Sequence, residues 1–176
     1  QPIRPLTLSD NSLPMRDDIN PIFDYAEALS GPVPDYLHQL VRETYLKTLS
    51  PQMISGHLQG RLLAMLSKLQ RPKRILELGT FTGYSALCLA EGLVPGGKIT
   101  TIEGNPEVGW IAKKYFEASP CADCFDYRSS KADAALATLT EADRFDIIFL
   151  DADKRRYAHY FDLLIEYLNP GGLFIS

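Results

Sequence analysis

The segment Arg74-Ile-Leu-Glu-Leu-Gly-Thr-Phe-Thr-Gly-Tyr-Ser85 decides how this sequence reads. Residues 74–78 form an apolar run of strand length, Gly79-Thr-Phe-Thr-Gly83 is a glycine turn, and residues 84–91 continue as a helix. A strand that turns through glycines into a helix is the opening unit of a parallel α/β sheet. Downstream the unit repeats. Pro95-Gly-Gly97 leads into a strand over 98–102, and Pro106 opens a helix over 107–118. A third strand is expected within 121–127, a short helix over 132–139, and the clearest strand over 145–150, ending at Asp151. A helix over 157–168, the turn Asn169-Pro-Gly-Gly172 and a last strand over 173–176 complete the alternation. The fold class that follows is α/β, a doubly wound, mostly parallel sheet with helices on both faces.

Upstream, Pro2, Pro5, Pro14 and Pro21 punctuate a stretch without apolar periodicity, so residues 1–34 read as an irregular arm, and Pro32 and Pro34 limit any helix over 23–29 to a few turns. Residues 35–70 read as a helical cap. Leu37, Leu40, Val41 and Tyr45 recur at helical spacing after Asp35, a candidate N-cap, and a helix over 56–70 is expected to bury Leu58, Leu62, Leu63, Leu66 and Leu69. The whole is expected to be one domain, with the α/β core in residues 71–176. The chain begins with Gln1, so its true start is expected to lie further upstream.

Composition narrows the function. The 176 residues are 45% hydrophobic and 23% charged, ordinary for a globular core. Eighteen basic against 22 acidic side chains give a net charge of −4, and the isoelectric point is near 5.4. Nucleic-acid surfaces carry clustered positive charge, and Lys154-Arg-Arg156 is too short to supply it, so no nucleic-acid partner is expected. The longest apolar runs, Leu62-Leu-Ala-Met-Leu66 and Ala86-Leu-Cys-Leu-Ala90, are far short of a bilayer span, so neither membrane association nor secretion is expected. A cytoplasmic location follows, and Cys88, Cys121 and Cys124 are expected as free thiols. Cys121-Ala-Asp-Cys124 has C-x-x-C spacing but no second pair to complete a zinc site, and reads as structural or accidental. His38, His57 and His159 have no paired acids and read as structural or surface residues.

In an open parallel sheet, ligands bind at the carboxyl ends of the strands. Glu77 and Gly79, Glu103, and Asp151 mark three such ends on one rim. Phe81 stands where the dinucleotide fingerprint needs its second glycine, which disfavours a diphosphate. Glu103 follows the glycine turn by about 20 residues, the interval at which an acid grips ribose hydroxyls. Together these favour a nucleoside ligand such as S-adenosylmethionine over a dinucleotide.

Residues 75–85, with Phe145-Asp-Ile-Ile-Phe-Leu-Asp-Ala-Asp-Lys154 and Tyr157, resemble the two signatures of the cation-dependent O-methyltransferases, the family of catechol and caffeoyl-CoA O-methyltransferases and their bacterial relatives. Met53, Ser55 and Gly60 fit the segment before its sheet, and the resemblance covers residues 35–176. It implies a Rossmann-like methyltransferase fold and S-adenosylmethionine as cofactor. It places Ser55, Glu77, Gly79, Thr80 and Ser85 along the methionine and ribose, Glu103 on the ribose hydroxyls, and Ala132 and Asp133 beside the adenine. Asp151 would contact the cofactor and hold a divalent cation, most often magnesium, and Lys154 would be the catalytic base. Asp153 is either substrate-facing or a solvated turn carboxylate. The family continues with an Asp-Asn pair that completes the metal site and then a closing hairpin. This chain is expected to be truncated before them, with the last strands missing and activity lost. The acceptor would be a small phenol and the assembly a homodimer. Two alternatives stay open, a non-catalytic S-adenosylmethionine-binding module and a nicotinamide-dependent oxidoreductase.

Overall fold

A computed structural model describes residues 16–176, with side chains from residue 21 onward. The chain divides into two units, residues 1–31 and 32–176. The first contributes one described helix, α1 (Arg16–Leu29), with Pro21 inside it. This corrects the irregular arm expected over these residues. A proline removes only its own N–H, here the partner of the Asp17 carbonyl, and the turns on either side persist. Pro2, Pro5 and Pro14 lie outside the described residues.

In the second unit, α2 (Asp35–Lys47) and α3 (His57–Gln70) precede β1 (Arg74–Leu78), α4 (Tyr84–Ala90) and β2 (Lys98–Glu103). They are followed by α5 (Gly109–Glu117), β3 (Phe125–Ser129), α6 (Ala132–Leu136), β4 (Phe145–Leu150), α7 (Tyr157–Leu164) and β5 (Leu168–Ile175). The sheet order is β3-β2-β1-β4-β5 with every pairing parallel. Strand order reverses between β1 and β4, so the switch point lies where Leu78 pairs with Leu150. Residues 169–172 loop out of β5 between the Phe145–Leu168 and Ile147–Leu173 pairs, so this strand begins earlier than its turn residues suggest.

The three central strands, β2, β1 and β4, bury both faces. Ile75, Ile99, Ile147 and Phe149 share one apolar cluster with residues of α2, α3, α4 and α5. Leu76, Leu78, Ile102, Ile148 and Leu150 share the other with α6 and α7. Period-two alternation sends neighbouring side chains into opposite layers, which is why these strands read as continuous apolar runs. Each fully buried Ile or Leu contributes roughly 1.5–3 kcal/mol.

Several helical details differ from the sequence reading. Pro34, not Asp35, occupies the cap position of α2, and Thr44 rather than Tyr45 is buried on its inner face. The inner face of α3 is Gly60, Leu63, Ala64 and Ser67, while Leu62, Met65 and Leu69 are exposed. The cause is close approach to α4: a Cβ on Gly60 would lie 2.5 Å from the Tyr84 ring, so small residues must face inward. Pro106 sits in a turn ahead of α5 rather than in its first helical turn.

Candidate active site

The glycine turn is fastened to both neighbouring strand ends. The N–H groups of Gly79 and Thr80 donate to the Ile102 carbonyl at 3.0 and 3.2 Å, and the Asp151 N–H donates to Leu78 at 2.8 Å. Gly79 has φ +101°, and a Cβ there would lie 2.0 Å from the Asp151 carbonyl oxygen. Only glycine lets these chains meet so closely. Gly83, at φ +94°, lies against the Phe116 ring. Between them Phe81 adopts φ +48°, a left-handed conformation that costs a non-glycine residue about 1–2 kcal/mol.

What holds Phe81 there is Glu103. Its Oε2 accepts the Phe81 N–H at 2.6 Å, and its Oε1 accepts the Asn105 N–H at 2.7 Å. A carboxylate has about four lone-pair sites, so this one is oriented and still able to accept from a ligand. It lies at the end of β2, half-exposed, on the wall of a cleft of about 1060 Å³.

Of the residues expected at the site, Ser55, Gly79, Glu103, Ala132 and Asp133 line this cleft, as do Asp151 and Lys154. Glu77, Thr80 and Ser85 lie behind it, buried. The Thr101 hydroxyl donates to Glu77 Oε2, and the Thr80 hydroxyl is 2.5 Å from that of Thr101. Glu77 Oε1 has no hydrogen-bond partner. Burial pushes Glu77 up to about 7, against the hydroxyls of Ser85 and Thr101, and the carboxylates of Asp151 and Glu103 push the same way.

That shift gives a testable pH dependence. The folded protein keeps the Glu77 proton up to about pH 7, whereas the unfolded chain releases it near its ordinary value of 4.5. The resulting stabilisation is complete below the unfolded value and is lost as pH rises through the folded one. Glu77→Gln, which stays neutral, is therefore expected to gain stability relative to the parent between about pH 5 and about pH 8, by on the order of 1–3 kcal/mol. Urea titrations at both pH values check this, and an unchanged difference would contradict it.

Across the cleft, Asp153 caps a 3-10 turn over Lys154–Arg156, accepting the Arg155 N–H at 3.2 Å and its guanidinium at 2.9 Å. Asp153 thus caps a turn and also lines the cleft. Lys154 is exposed at the head of the same turn. Tyr157, three residues before the buried Tyr160 of α7, has a phenol raised by burial and by the negative charge of Asp151. Sequence reasoning missed the role of Arg156: its guanidinium grips Asp133 through two bonds, 2.5 and 2.7 Å, and holds that carboxyl below the usual range. His159 Nε2 lies 3.7 Å from the same carboxylate, an acid partner that the sequence reading had not given it. The separation of Asp133 and Arg156 along the chain hides this contact.

Residues 27–176 match the family model described as O-methyltransferase. A catechol O-methyltransferase of Niastella koreensis is 37% identical over 120 residues, which are 67% of this chain and 54% of that protein. A caffeoyl-CoA O-methyltransferase of Populus kitakamiensis is 36% identical over 118 residues, 65% of this chain and 50% of that protein. The chain thus spans about half the length of the curated relatives it matches. The crystal structure of an O-methyltransferase from Bacillus cereus in complex with SAH superposes with a TM-score of 0.84 at 28% identity, covering 91% of this chain and 73% of that one. The O-methyltransferase TomG from Streptomyces achromogenes, in complex with SAM, gives 0.83 at 28% identity, covering 92% and 73%.

Proposed function

This chain belongs to the O-methyltransferase family, and from that premise we propose that it transfers a methyl group from S-adenosylmethionine to a small phenolic acceptor. The observation that carries the reading is Glu103, held by two backbone N–H groups at the end of β2 beside the glycine turn. Its free lone pairs suit the ribose hydroxyls, Gly79 lines the same cleft, and the unpaired Glu77 oxygen lies just behind.

When bound, the cofactor supplies an electrophilic methyl group on sulfonium. A phenol has a pKa of about 10 and is a poor nucleophile at neutral pH until its proton is removed. In its neutral amine form, Lys154 takes that proton at Nζ and becomes an ammonium, and the cleft walls hold the acceptor oxygen in line with the methyl group. Asp151 is the carboxylate this chain offers to a divalent cation. Among the described residues no group of three or more His, Cys, Asp or Glu side chains could hold an ion. The described residues therefore do not fit a magnesium site by themselves, and no step here runs through a metal.

A homodimer and a cytoplasmic location belong to the same proposal. Leu62, Met65 and Leu69, exposed on α3, suit an interface with a second copy, which sedimentation velocity would detect. No helix among the described residues is long and apolar enough to cross a membrane.

Glu103→Ala is expected to weaken binding of S-adenosylhomocysteine by about 1–3 kcal/mol, because ligand hydroxyls lose a charged acceptor. Phe81 also loses the carboxylate that holds its left-handed backbone. Calorimetric titration measures the change, and an unaltered Kd would place the ribose elsewhere.

A further inference from the structure

Outside the cleft, the C-x-x-C motif acquires a geometry that its spacing alone does not give. Cys121 precedes and Cys124 ends a 3-10 turn over Ala122–Cys124, at the edge of the sheet opposite the ends of β2 and β3 at Glu103 and Ser129. The Cys124 thiol donates to Cys121 Sγ at 3.1 Å, and both cysteines are free. The turn is fixed from two sides: the Cys124 N–H donates to the Cys121 carbonyl at 2.8 Å, and the Lys98 ammonium donates to the Asp123 carbonyl. Cys121 is partly exposed, whereas Cys124 is buried. The two sulfurs are in contact, one on a partly exposed residue and the other on a buried one.

We propose that Cys121 and Cys124 form a redox-active dithiol, modified by low-molecular-weight disulfides and closing to an intrachain disulfide. Cys121 is the attacking sulfur and Cys124 the resolving one. The thiol hydrogen bond from Cys124 holds Cys121 below its ordinary value, against the effect of burial, with Ser119 helping. The same contact and burial raise Cys124. Cys88, fully buried, is pushed by desolvation up to about 12 and serves as an internal unreactive reference.

The exchange balances in two steps. The Cys121 thiolate attacks one sulfur of the external disulfide, whose S–S bond breaks and releases one thiolate, leaving a mixed disulfide on Cys121. Cys124 then loses its proton to solvent, and its thiolate attacks Cys121 Sγ and expels the second external thiolate. Two electrons pass from the protein dithiol to the external disulfide, which ends as two thiols.

The test is incubation of the reduced protein with oxidised glutathione, followed by thiol titration and peptide mass mapping. Of the three cysteines, two are expected to lose their thiols, with the mass falling by two hydrogens and a Cys121–Cys124 cross-link in the map. Cys124→Ser removes the resolving thiol, so Cys121 should accumulate one bound glutathione. Cys121→Ser should slow thiol loss by at least about tenfold. Both replacements are near-isosteric, and the readout does not require methyl transfer. The proposal is overturned if wild type stays fully reduced, if its Cys121 stops at a stable glutathione adduct, or if Cys88 reacts as fast as the pair.

Discussion

Gly79→Ala is expected to destabilise the protein by about 2–5 kcal/mol, combining the cost of a left-handed alanine with that of forced overpacking. The new Cβ would lie 2.0 Å from the Asp151 carbonyl oxygen and 2.6 Å from its carbon, both backbone atoms that cannot rotate aside. Relief requires β1 and β4 to part at the switch point, and that would also break the Asp151 N–H bond to Leu78. Gly96→Ala provides the control: it too has positive φ, at +77°, but nothing lies within 4 Å of its Cβ position. It should cost only about 1 kcal/mol. Urea unfolding of both variants checks the difference, and equal losses would mean that the close approach to Asp151 is not what demands glycine.

The second large effect is kinetic. Lys154→Ala is expected to lower turnover of a catechol by about 10²–10⁴, the range for a positioned proton acceptor, with KM little changed. The pH optimum should move upward, because more of the phenol must then ionise without help. Stability should be nearly unaltered, since Lys154 is exposed. Steady-state rates across pH measure this, and normal turnover with an unmoved profile would remove Lys154 from the chemistry.

These residues were legible in the sequence because the sheet writes its own pattern. Continuous apolar runs at 74–78 and 145–150 are what strands buried on both faces require, and both are strands here. Glu103 and Asp151 follow from the rule that parallel strand ends share one rim, and both line the cleft. Helix faces were harder. The leucines of α3 suggested an apolar stripe, and Leu63 is buried as expected, but Gly60, Ala64 and Ser67 share its inner face, with Gly60 pressed against Tyr84 and Cys88, and periodicity carries no information about how closely a neighbour approaches. Phe81 in a left-handed conformation has no local signal, because its cause is a carboxylate 22 residues away. The Arg156–Asp133 pair and the convergence of the two thiols are likewise tertiary facts, although the spacing at 121–124 marks where to look.

The central claim is that the cleft bounded by the glycine turn and Glu103 takes S-adenosylmethionine. Equilibrium dialysis of the protein with radiolabelled S-adenosylmethionine, with and without excess NAD, tests it most directly. The account predicts saturable binding at one site per chain that S-adenosylhomocysteine displaces and NAD does not. Absence of saturable binding, or displacement by NAD as effective as by S-adenosylhomocysteine, would contradict it.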